Sequence, residues 1–211
     1  MSHPGRLVVD ASHPTPATLE AAAHILRTGG LVAFPTETFY GLGAHALDEA
    51  AVGRVFQAKG RPADKPLLVL VDSIAMVARV AGSVPAHARR LMGRYWPGPL
   101  TLVLPAHRTL PVALTAGTGT IGVRLSSHPV ARALVTALGA PITAPSANPH
   151  GAPSPRTAEA VMTGLGARID LVLDGGPTPG GPPSTLLDLT RTPAVVLRTG
   201  AVAPTPEDLQ S

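Results

Sequence analysis

Three cations crowd one eight-residue stretch, Lys59-Gly60-Arg61-Pro62-Ala63-Asp64-Lys65-Pro66. Of the 17 basic residues 15 are arginine, and both lysines fall here. A lysine ammonium is a compact point charge suited to phosphate oxygens, and arginine adds a planar fork of donors. The stretch therefore reads as a phosphate-handling connector, with cations stabilising a helix C-terminus as the alternative. A second group, Pro145-Ser146-Ala147-Asn148-Pro149, sets one hydroxyl and one amide on a proline-stiffened corner. That corner is either an ordinary turn or a polar contact for a ligand. A third, Thr36-Glu37-Thr38-Phe39-Tyr40-Gly41-Leu42-Gly43, is read as a loop whose small and hydroxyl residues let backbone approach a ligand, the alternative being a tight surface turn. The fourth is Arg124, inside the apolar run Thr120-Ile-Gly-Val-Arg-Leu125. An arginine buried in such a run must be paired or bind an anion.

Other chemistries lack their residues. There is no cysteine, which excludes disulfides, iron–sulfur clusters, thiolate zinc and a cysteine nucleophile. The eight histidines are scattered without HExxH spacing, so no metal site is predicted. No GxSxG and no GxxxxGK[ST] is present, and no GxGxxG directly follows the first strand.

The elements that must carry these groups can be read in order. Thr15 caps a helix that starts on Pro16 and stops before Gly29-Gly30. A strand is predicted over 31–34, and a helix from the Asp48 cap to Ala58 with Gly60 beyond its end. Further strands are predicted over 66–71, 100–104, 120–125, around Ile142, and over 169–173, 185–189 and 194–198. Helical pieces fall at 73–80, 85–93, from a Ser127 cap to Leu138, and at 157–163. The interleaving has no strict βαβ cadence, so the expected architecture is α/β, a twisted mixed sheet with helices packed on it. One domain over residues 15–200 is expected, with an N-terminal extension over 1–14 and a loose C-terminal tail over 201–211.

At 211 residues and 45% hydrophobic content the chain can bury one sizeable core. Gly and Pro total 46, yet the apolar residues come in regular short runs, which argues for many defined turns and against disorder. No run of 18 apolar residues occurs and the first residues lack an export signal, so a cytoplasmic protein without membrane contact is expected. The net charge is +4.

Taken together, PTETFYGLG, the K-x-R of Lys59 and Arg61 with the following DKPL, WPGPLTLVL, GVR and PSAN resemble, in this order, the YrdC-like threonylcarbamoyl-adenylate synthases. The resemblance covers roughly residues 17–200. It implies a single YrdC-like α/β domain with a positively charged concave face, in the short form without the additional C-terminal domain of longer members. The implied substrates are ATP, L-threonine and bicarbonate or carbon dioxide, with Mg²⁺ held mainly by the ATP phosphates. The implied products are threonylcarbamoyl-adenylate and pyrophosphate, which makes the enzyme a nucleotidyltransferase. A separate tRNA threonylcarbamoyltransferase complex would carry the group to tRNA beside the anticodon. By the same resemblance Lys59 and Arg61 are catalytic, and Arg61, Lys65, Thr120, Ser146, Asn148, Ser154 and Arg198 line the nucleotide. Thr38, Arg124, Ala144 and Ser184 face threonine, and Leu70 stands where some members carry a threonine-contacting histidine. Two alternatives stay open, a carbamoyl-transfer domain of a carbamoyltransferase and a non-catalytic RNA-binding module. The latter rests on the sequence pI of about 10.3.

Overall fold

A computed structural model describes residues 4–210. Ten strands and seven α-helices follow one another as β1 (Gly5–Val8), α1 (Pro16–Arg27), β2 (Val32–Phe34), β3 (Gly41–Gly43), α2 (Glu49–Lys59), β4 (Leu68–Leu70), α3 (Ile74–Val77), α4 (Ala86–Tyr95), β5 (Leu100–Pro105), α5 (Val112–Thr115), β6 (Thr120–Arg124), α6 (Pro129–Leu138), β7 (Ile142–Thr143), α7 (Ala158–Leu165), β8 (Leu171–Asp174), β9 (Thr185–Asp188) and β10 (Val195–Arg198).

The strands form two mixed sheets where one was expected. Four lie in the order β1-β8-β2-β3 and six in the order β10-β9-β5-β6-β4-β7. The edges β3 and β7 face each other along a seam. Isolated bridges pair Gly41 with Ser146 and His45 with Ile142, and backbone bonds run from Thr143 N–H to Ala44 O at 3.0 Å and from Leu42 N–H to Pro145 O at 2.8 Å. The fully buried Thr143 hydroxyl reinforces the seam, donating to Leu42 O at 3.0 Å and accepting from Ala44 N–H at 2.9 Å. Thr143→Val is expected to keep the shape but orphan both backbone groups. The cost is about 1–3 kcal/mol in a urea melt, and a change below 0.5 kcal/mol would show the seam does not depend on that hydroxyl.

The strand sequences are apolar throughout because both faces are covered. In β2 and the residue before it, Leu31 and Ala33 enter one core with α2, α4 and β5, whereas Val32 and Phe34 enter a second beneath α1 and α6. Gly41 and Gly43 occupy one face of β3 because the Phe34 ring lies there. A Cβ on Gly43 would stand 2.9 Å from that ring and 3.2 Å from Val32 O. The glycines of the third motif therefore serve sheet packing, and the expected loop contains a strand.

Three further expectations are corrected. Residues 5–8, placed in an extension, form an edge strand paired in parallel with β8. The helix to Leu138 is capped by His128, whose ring nitrogen accepts from Val130 N–H at 3.2 Å, because Pro129 takes the first helical position and leaves Ser127 outside. The tail is not loose: Thr205 and Asp208 form a capping box, and buried Asp208 accepts from Arg94 at 3.0 Å and Tyr95 at 2.5 Å on α4. None of these signals was visible in hydrophobic periodicity, since β1 is exposed along its length and the tail is held by polar groups.

Candidate active site

The sheets and the seam enclose an open cavity of about 320 Å³. Each predicted motif lends it a wall. The segment after β2 supplies Thr36 and Thr38, the loop before β4 supplies Arg61, β6 supplies Thr120 and Arg124, the segment after β7 supplies Ala144, Ser146 and Ser154, and the β9–β10 ribbon supplies Ser184 and Arg198. Nine of the residues expected at the site thus meet in one space, although they span 161 positions of sequence from Thr38 to Arg198.

Three guanidinium groups reach this cavity, and each is held by backbone or side-chain acceptors. Arg61 donates from Nε to Lys65 O at 3.1 Å and from a terminal nitrogen to Pro66 O at 2.9 Å. Arg198, at the mouth, donates to Ser184 O at 2.8 and 3.1 Å and to the Ser184 hydroxyl at 3.0 Å. That hydroxyl is also bonded to Thr101 at 2.9 Å. Arg124 is 4% exposed, and its partner is Glu37, 3.8 Å away. Burial holds all three below the ordinary arginine value; Glu37 partly offsets this for Arg124, and Arg124 itself adds to it for Arg198. Cations partly withdrawn from water with donors to spare are stabilised by an arriving anion, most strongly at the buried Arg124.

Three expected residues do not line the cavity. Lys59 is buried, and its ammonium donates to Ser146 O at 2.5 Å and Asn148 O at 2.6 Å. Burial, with Arg61 nearby, pushes its pKa down to about 8. It therefore anchors the Ser146–Asn148 corner and touches no space open to a phosphate. Asn148 is buried too, its amide donating to Pro149 O at 2.9 Å and Ala152 O at 2.6 Å, which closes the same corner. Lys65 is exposed outside the cavity wall, 3.3 Å from the His150 ring. Leu70 also fails to reach the cavity: it is 1% exposed inside the core under α1 and α6, and Leu68, two residues earlier, lines the wall instead.

Sequence reasoning missed Thr36 and Tyr40 as parts of the cavity wall and Glu37 as the partner of Arg124. Tyr40 is fully buried, donates to Gly176 O at 2.7 Å, and is pushed up to about 12 by burial. Thr36 accepts from Thr38 N–H at 3.2 Å and fixes the turn that faces the cavity. All three lie in the third motif, and the only available signal was that a polar TET triplet followed a buried strand.

A model of the Sua5/YciO/YrdC family, described as telomere recombination, matches residues 24–200. The chain belongs to this family. Threonylcarbamoyl-AMP synthase of Pyrococcus abyssi is 48% identical over 87% of the chain and 54% of the relative. That of Bacillus subtilis is 44% identical over 92% of the chain and 57% of the relative. The crystal structure of P. abyssi Sua5 complexed with L-threonine superposes with a TM-score of 0.89 at 46% identity, covering 92% of the chain and 57% of that structure. The chain spans about half the length of these relatives. As a member of the Sua5/YciO/YrdC family it has the expected mixed α/β fold. No helix among the described residues is long and apolar enough to cross a membrane.

Proposed function

We propose that this chain is an L-threonylcarbamoyladenylate synthase, a nucleotidyltransferase making threonylcarbamoyl-AMP and pyrophosphate from L-threonine, bicarbonate or carbon dioxide, and ATP. The observation that carries the reading is the meeting of Arg61, Arg124 and Arg198 in one cavity walled by threonine and serine hydroxyls. Such a cavity suits a reaction in which a carboxylate, a carbamate and a triphosphate share one space. Relatives at 44% and 48% identity carry the same activity in their names, and the similar P. abyssi structure holds threonine.

In this reading the threonine carboxylate lies on the Arg124 fork, with Thr38, Ala144 and Ser184 about the amino acid. Its amine adds to carbon dioxide and loses a proton, giving an N-carboxylate. One oxygen of that group attacks the α-phosphorus, and the bond from phosphorus to the bridging oxygen breaks as pyrophosphate leaves. Arg61 and Arg198 stabilise charge on the phosphates as it moves toward the leaving group, with Thr120, Ser146 and Ser154 as hydroxyl contacts. No protein nucleophile is required, and catalysis is positioning plus electrostatics. Lys59 and Asn148 act through the corner they hold, and Lys65 meets phosphate only beyond the cavity mouth.

The cavity wall carries hydroxyls and carbonyls, and among the described residues no group of three or more His, Cys, Asp or Glu is placed to hold a metal. Mg²⁺ would therefore ride on the triphosphate and water, where it neutralises phosphate charge. The product would pass to a tRNA threonylcarbamoyltransferase complex in the cytoplasm, with weak contact to tRNA or other RNA drawn by the net charge of +4.

The test mixes protein, ATP, Mg²⁺, bicarbonate and single amino acids, and measures pyrophosphate. Release is expected only with threonine and bicarbonate together. Equal release with every amino acid, or with none, overturns the reading. Turnover with carbamoyl phosphate instead of threonine would favour a carbamoyltransferase, and RNA binding with no turnover would favour the binding module.

A further inference from the structure

The three arginines of the cavity differ in how their charge is balanced. Arg61 and Arg198 donate to neutral acceptors, and among the described residues neither stands within 4 Å of a carboxylate. The exposed Asp64 acts on Arg61 through charge at longer range. Arg124 alone has a carboxylate partner, Glu37. Arg124 lines the cavity and Glu37 does not. Ser126 donates its hydroxyl to one Glu37 oxygen and accepts from His128 N–H at 3.2 Å, so the carboxylate is braced from the chain just after β6.

The geometry of this pair is poor for stability. At 3.8 Å it is too long for a hydrogen bond, and both Glu37 Oε1 and Arg124 Nε are buried without a partner. A largely buried pair with one unmet atom on each side is weak support for a fold. What it does achieve is to set a negative charge beside Arg124, while Arg61 and Arg198 have no carboxylate within 4 Å among the described residues. A zwitterion has a carboxylate for the fork and an ammonium that gains from a nearby negative charge. A phosphate brings up to two negative charges, finds only one compensated cation, and meets Glu37 as a repulsive element.

We propose that Glu37 is a specificity-determining residue whose largely buried carboxylate reserves Arg124 for an α-amino acid and turns phosphate away to Arg61 and Arg198, the two cavity cations that no carboxylate balances. The proposal rests on the functional reading above for the identity of that amino acid as threonine. It assigns Glu37 no part in bond making; it acts through Arg124 and through the potential there.

Calorimetry with the full chain, L-threonine and inorganic phosphate tests it. In the wild type the two are expected to bind together, with the threonine Kd unchanged by saturating phosphate. In Glu37→Gln, which keeps size and the Ser126 contact, phosphate should raise the apparent threonine Kd at least tenfold and should itself bind about tenfold tighter. Ser126→Ala, which loosens the carboxylate but keeps its charge, should exclude phosphate as the wild type does. A merely structural role would move the melting temperature of both variants and leave the competition pattern untouched. Competition between phosphate and threonine in the wild type overturns the proposal without any variant having to fold, and so does a folded Glu37→Gln with the wild-type pattern. Absence of threonine binding in the wild type would sink the functional reading instead, and phosphate affinity in wild type against Glu37→Gln would still decide the role of the charge.

Discussion

Arg124→Ala should abolish measurable threonine binding and lower stability by up to about 3 kcal/mol, the cost of leaving a largely buried carboxylate, 14% exposed, without its cation. Among the described residues Arg124 is the only cation within 4 Å of Glu37, and the glutamate keeps just its Ser126 contact once the guanidinium is gone. Adding Glu37→Gln to Arg124→Ala should recover most of the stability and none of the binding, because the stranded charge is removed while the fork stays missing. Arg124→Lys separates fork from charge: an ammonium cannot make two parallel bonds to a carboxylate, so threonine affinity should fall about tenfold although the pair remains. Urea melts and calorimetry with a non-hydrolysable ATP analogue measure both effects. Unchanged threonine affinity in Arg124→Lys would remove the residue from the amino-acid site.

A second large effect is expected at Lys59, where pH acts on stability and activity in opposite directions. The folded state holds this lysine at about 8, against the ordinary 10.5 of an unfolded chain. Between about pH 8 and 10.5 the unfolded chain therefore binds more protons, and stability contributed by this group rises with pH through that window, by roughly 3 kcal/mol in all. Activity should fall over the lower part of the same window. The neutral amine is a weaker donor to Ser146 O and Asn148 O, and Ser146 lines the cavity. Lys59→Met should lose turnover at least tenfold, about 1.4 kcal/mol, and abolish both pH responses. A wild-type profile that is flat from pH 7 to 9 would mean the corner does not depend on the ammonium.

How much of this was written legibly in the sequence follows from which forces leave a local trace. Helices α1 and α2 were readable to within a residue because Thr15, Asp48 and Gly60 mark their ends by short-range chemistry. The convergence of Arg61, Arg124 and Arg198 was readable only through resemblance, since no periodicity brings residues so far apart together. Lys59 reads as a phosphate ligand because a lysine beside an arginine looks like ligand chemistry. Its partners are carbonyls 87 and 89 residues away, and carbonyls have no sequence signature. Glu37 carries no local mark of its role either, since nothing in the loop shows the distant arginine and serine that hold it. The division into two sheets was hidden because β3 and β7 are only three and two residues long, too short for alternation to appear.

The bridge between Gly41 and Ser146 closes a loop of more than a hundred residues, and the cavity has walls on both sides of it. Contacts of such sequence separation form late, after the loop-closure entropy has been met. A chain with only one sheet consolidated therefore owns half a cavity, with Arg124 and Arg61 on one bank and Thr36 and Thr38 on the other. Ligand affinity is then a gauge of global folding: amide exchange at Ala44 should slow with added threonine in step with the most protected core amides, because nothing short of complete assembly can bind.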